Sequence, residues 1–82
     1  MTKFHFELPP MSPVQSSNVA AIGYEDGALY VRYKGGAVYR YANVPLHLYE
    51  ALLRAPSVGQ FLRSMVILHP DRYPFTQARS TA

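Results

Sequence analysis

The sequence predicts an α+β domain, a three-stranded antiparallel β-meander with two helices packed on one face. Three observations lead there. Residues 19–41 read as short alternating runs separated by Asp26-Gly27 and Gly35-Gly36, residue pairs that close tight hairpins. Residues 46–54 then change to a period near 3.6, the mark of an amphipathic helix. Ser57-Val58-Gly59-Gln60 opens a second helical stretch directly after Pro56. In a chain of 82 residues these elements fill one domain.

Residues 1–13 contain Pro9, Pro10 and Pro13, which forbid a helix and favour an extended N-terminal arm; Phe4, Phe6 and Leu8 alternate like one strand face, so the arm docks or pairs weakly. The first strand spans Val19 to Tyr24, and Glu25-Asp26-Gly27 turns it into the second, Ala28 to Lys34. Gly35-Gly36 permits the positive φ angles of a primed turn, and Ala37 to Tyr41 returns as the third. Pro45 suits the first helical position, where its missing N–H costs nothing. Leu46, Leu48, Tyr49, Leu52 and Leu53 gather on one side of that helix, with His47, Glu50 and Arg54 on the other. Ala55-Pro56 ends it. Ser57 is then expected as N-cap of the second helix, with Gln60 reaching back as its partner and Val58, Phe61, Leu62 and Met65 facing the core. Pro70 and Pro74 enforce irregular chain beyond about His69, and the last residues read as frayed. The organisation is an arm at 1–13, a domain at 14–73 and a tail at 74–82.

Period-two alternation sets Leu29, Val31 and Tyr33 on one face and Tyr30, Arg32 and Lys34 on the other. Tyr39 and Tyr41 are placed inward beneath the first helix, because the opposite register buries Arg40. Tyr30, Arg32, Lys34, Val38 and Arg40 are therefore expected outward.

Seven tyrosines and four phenylalanines make the expected core aromatic. With no cysteine there is no disulfide, thiolate nucleophile or Cys-based zinc site, and no need of an oxidising compartment. Lys3 is followed by Phe4-His5-Phe6-Glu7 rather than an apolar signal region, and no run approaches the roughly 20 apolar residues of a membrane span. A cytoplasmic protein without membrane contact is the expectation.

The chemistry points away from catalysis. His5, His47 and His69 are scattered over different elements without metal-ligand spacing, and His47 has Glu50 as a surface partner. Ser16-Ser17 lacks a nearby base, and Glu25-Asp26 is explained by the turn it opens. No enzyme, metal or cofactor is expected. The formal charge is +3, and no acidic side chain lies between Asp26 and Glu50, whereas Arg32, Lys34 and Arg40 do. That cluster reads either as a solvated strand face or as a positive field for a polyanion.

Several ordered motifs carry a family resemblance: Val14-Gln-Ser16-Ser17, Ile22-Gly23-Tyr24, Leu29-Tyr-Val31-Arg-Tyr33, Gly36-Ala-Val-Tyr39-Arg-Tyr41, Val44-Pro45 and Ala55-Pro-Ser57-Val-Gly59-Gln-Phe61. Together they resemble the KTSC domain family, a module found at the C-terminus of some lysyl-tRNA synthetases and alone in small bacterial and phage proteins. The resemblance covers about residues 14–73. It implies no enzymatic activity, associates the chain with RNA, and makes Tyr39 and Tyr41 marker positions. Where relatives continue with a polar stretch after the second helix's aromatic, this chain has the apolar run Leu62 to His69, which enlarges the core or makes an oligomer contact.

Two functions follow as expectations for a non-catalytic binding module. RNA binding would use Tyr30 as a stacking platform and Arg32, Lys34 and Arg40 as phosphate partners. Residues 34–41 keep the opening Lys-Gly and final aromatic of an RNP1 motif but lack its two internal rings, so the domain is not an RRM. The alternative is a protein-interaction module or regulator, such as a phage-encoded inhibitor of a host protein, using the same Tyr and Arg side chains as interface anchors.

Overall fold

The computed structural model describes residues 8–78. Its sheet has five antiparallel strands in sequential order rather than three: β1 Met11–Pro13, β2 Val19–Glu25, β3 Ala28–Tyr33, β4 Val38–Tyr41 and β5 Phe75–Ala78. Two helices, α1 Leu46–Leu53 and α2 Val58–Leu62, connect β4 to β5, and α2 runs into a π-helical turn at Arg63–Ile67.

The three predicted strands form because their turns are locally encoded. Asp26 and Gly27 take φ of 53° and 77°, the two positive angles of a type I′ hairpin. The second hairpin is longer. Tyr33 N–H donates to the Ala37 carbonyl at 2.8 Å, so Lys34–Ala37 form the loop, and of its two glycines Gly36 has the positive φ, at 105°. A bulge lies between Val19 and Ala21, which oppose Tyr33 and Arg32 respectively. The extra residue turns Val19 to the helix side together with Ile22 and puts Ala21 on the other face.

The two added strands correct the reading of both ends. Met11 pairs with Gly23 and Pro13 with Ala21, so part of the expected arm is an edge strand, a place where proline is tolerated. Phe4 and Phe6 lie outside the described residues. At the other end Phe75–Ala78 are paired with β4, Tyr41 opposite Phe75, where a frayed tail was expected. Pro74 supplies the anchor, its carbonyl accepting the Ala42 N–H at 2.9 Å.

The core lies between the sheet and the helices, with Val19, Ile22, Leu29, Val31, Val44, Leu52, Leu62 and Val66 nearly inaccessible. Tyr49 of α1 stacks on Tyr24 at 5.2 Å, and the Tyr24 hydroxyl donates to the Val44 carbonyl at 2.6 Å. The helix is thereby fixed to β2. Pro45 is its N-cap, with extended ψ of 151°, rather than its first helical residue. Leu48 and Leu52 are buried, but Leu46 and Leu53 at the two ends of the predicted apolar side are exposed.

Ser57 caps α2 as expected, its hydroxyl accepting the Gln60 N–H at 3.4 Å. The core stripe then continues four residues on at Val66 and not at the predicted Met65: Val66 is 1% exposed and Met65 43%. The cause is the π-helical turn, closed by Leu68 N–H donating five residues back to the Arg63 carbonyl. The wider turn favours the spacing of four that Val66 has from Leu62 over the spacing of three that Met65 has, and so swings Met65 out.

Candidate functional site

The helices cover only part of the sheet. Over β3, β4 and β5 the helix-side face carries Tyr33, Tyr39, Tyr41 and Phe75, and these rings, with Ala37, Ile67 and Tyr73, line an open cavity of about 410 Å³. Alternation puts the β4 tyrosines on this face, and β5 adds Phe75 beside them.

The rings support one another. Tyr39 meets Tyr33 edge-on at 5.7 Å, lies nearly parallel to Tyr41 at 6.3 Å, and has Phe75 tilted against it at 5.5 Å. The Tyr33 and Tyr41 hydroxyls are 3.0 Å apart and share a hydrogen bond. Burial pushes both phenols above their ordinary value of 10.0. For Tyr41 the bond to Tyr33 adds to that rise, and for Tyr33 the same bond opposes it; either hydroxyl can donate. Tyr41 is buried, as predicted, whereas Tyr39 is only half-buried and reaches the cavity. Its neighbours there are Ile67 and Tyr73 rather than the first helix.

On the opposite face the register brings three of the four predicted nucleic-acid contacts together. Tyr30 opposes Arg40, and Arg32 lies two residues along β3 on the same side. Arg40 sits over the Tyr30 ring at 6.0 Å and its Nε donates to the Tyr30 hydroxyl at 3.3 Å. The predicted exposure does not hold. Tyr30 is 7% exposed and Val38 2%, while Arg32 and Arg40 are half-buried. Tyr30 is therefore a packed ring and not an open stacking platform. Lys34 is exposed in the loop between β3 and β4. Part of this face lies under the chain before β1: a Cβ at Gly23 would stand 2.6 Å from the Met11 sulfur and 2.8 Å from the Pro10 carbonyl oxygen.

Ser16 and His69, also singled out from sequence, have structural partners. Ser16 Oγ accepts the N–H groups of Asn18 and Val19 at 3.3 and 3.2 Å, shaping the entry to β2. His69 Nε2 donates to the Ser64 carbonyl of the π-helical turn at 3.1 Å. His47 is exposed on α1, and His5 lies outside the described residues.

The cavity escaped sequence reasoning because two of its walls, Phe75 and Tyr73, come from the segment read as irregular. The Tyr-x-Tyr alternation at 39–41 marked its floor.

A meander sheet with two helices on one face and a tyrosine-rich half left open defines a small α+β domain of a recognisable kind. The chain belongs to the KTSC domain family, whose model matches residues 15–67. A protein of Tsukamurella paurometabola is 41% identical to it over 58 residues, spanning 68% of this chain and 87% of the relative. A protein of Stutzerimonas stutzeri is 36% identical over 64 residues, spanning 76% and 87%. The crystal structure of the KTSC domain protein YPO2434 from Yersinia pestis superposes with a TM-score of 0.74 at 25% identity, covering 85% of this chain and 97% of that one.

Proposed function

We propose that this KTSC domain is a non-catalytic binding module whose partner is a protein, engaged where β4, β5 and the π-helical turn meet. One observation carries this reading: Ile67 and Phe75, on the rim of the ring-lined cavity, remain 37% and 55% exposed. Large apolar side chains exposed around a concave aromatic surface are the composition of an interface core. A cytoplasmic setting goes with it, because a chain without cysteine needs no oxidising compartment.

RNA binding is the second reading, favoured by the positive charge of Arg32, Lys34 and Arg40. Without an open Tyr30 ring, it rests on phosphate contacts. These have a strong salt dependence, with a slope near −2 in log K against log salt for about three phosphates on a single strand.

The two readings separate in a capture experiment from bacterial lysate with the full chain as bait. A partner retained after nuclease treatment and at high salt, and lost on changing Ile67 and Phe75 to Glu, supports the protein interface. A partner lost with nuclease or with charge-neutralising changes at Arg32, Lys34 and Arg40 favours RNA instead.

A further inference from the structure

We infer that the cavity is a socket for one uncharged aromatic side chain presented by an extended partner segment laid along β5. This rests on the protein-interaction reading above and names the chemistry of its partner.

The first argument is the lining. Tyr33, Tyr39, Tyr41, Tyr73 and Phe75 surround the space, with Ala37 and Ile67 completing it, and no carboxylate or cation is among them. A buried charge there would find no counter-ion, so charged side chains are selected against. Ring faces do attract cations, but here Tyr39 already meets three other rings, and the chain as a whole carries a formal charge of +3. A further ring continues the existing lattice of stacked and edge-on contacts. The space of about 410 Å³ lies at the small end of the roughly 300 to 1,000 Å³ of ligand pockets, suited to one or two rings.

The second argument is the sheet edge. β5 is the last strand in the order, and no described strand pairs with its outer side. Phe75 lines the cavity, and by alternation Gln77, opposite Tyr39, lies on the same face of the sheet. An added strand at this edge would direct every second side chain toward the cavity while its backbone completes the ladder, the mode of strand addition. The four residues of β5 allow about two such positions, so a single aromatic residue with small polar neighbours is sufficient.

The test uses the full chain and capped heptapeptides of alternating Ser and Thr with a central Trp, Ala or Lys, titrated by isothermal calorimetry and by NMR. The Trp peptide is expected to bind about 30-fold more tightly than the Ala peptide, the effect of truncating one interface anchor, and its resonance shifts should centre on Tyr39, Phe75 and the β5 amides. Ala37→Leu, which fills the socket, and Phe75→Ala, which removes a largely exposed wall, should each abolish that preference. If Ala37→Leu fails to fold, Phe75→Ala alone decides. Equal binding of the Trp and Ala peptides, tighter binding of the Lys peptide, or a Trp preference surviving in Phe75→Ala overturns the socket. Any of these with lysate capture still lost in the Ile67 and Phe75 charge variants leaves the protein interface standing. Capture that survives those variants removes the interface reading itself.

Discussion

The hydroxyls of Tyr33 and Tyr41 meet at 3.0 Å between β3 and β4, joining the buried core to the floor of the cavity. Both phenols are held above 10.0, first by burial, so the folded chain keeps protons that the unfolded chain releases. Stability is therefore full below about pH 10 and falls as the pH rises above it. Urea midpoints should be flat between about pH 7 and 9 and decline beyond about 10. Tyr41→Phe should lower stability at neutral pH by about 1 kcal/mol and flatten the alkaline decline. An unchanged alkaline slope in both Tyr41→Phe and Tyr33→Phe would assign the decline to other groups.

Gly23→Ala tests how the chain before β1 is seated. The new methyl would collide with Met11 and, less forgivingly, with the Pro10 backbone. A loss of about 1 to 3 kcal/mol is expected from overpacking, with faster hydrogen exchange at the β1 amides. Unchanged protection there would show that the segment yields without leaving the sheet.

Ser57→Ala removes the acceptor for the Gln60 N–H and should cost about 1 kcal/mol. Thermal melting at neutral pH is sufficient to detect it, and an unaltered transition would remove the capping account.

The π-helical turn makes a paired prediction. Val66→Ala should destabilise by about 2 kcal/mol, the loss of two buried methyl groups, while Met65→Ala should stay within about 0.5 kcal/mol. The reverse order would mean that Met65 and not Val66 continues the core stripe beyond Leu62.

Tyr30→Ala is expected to destabilise the fold by about 3 to 5 kcal/mol, as for other buried rings. Lys34→Ser, at an exposed loop position, should leave the melting temperature nearly unchanged. A well-folded Tyr30→Ala variant that loses RNA affinity would restore that ring as a binding platform.

Legibility of this chain followed the range of the forces involved. Asp26-Gly27 specified a hairpin because positive φ is a property of the residues themselves, and the Ser57 cap and the leucine spacing of α1 are likewise local. Alternation assigned the sheet faces correctly, since successive side chains must point to opposite sides. Alternation does not say what lies over a face, so the burial of Tyr30 and Val38 opposite the helices was decided by packing. β1 and β5 are too short to declare themselves and exist because β2 and β4 offer unpaired edges to them. The cavity is further still from sequence: its tyrosines are close in the chain, but Phe75 and Tyr73 reach it only after two helices and a π-helical turn have brought the C-terminal segment back. Sequence alone determined the local turns, caps and faces, whereas the strand count, the covered face and the aromatic site required contacts between residues that only the tertiary fold brings together.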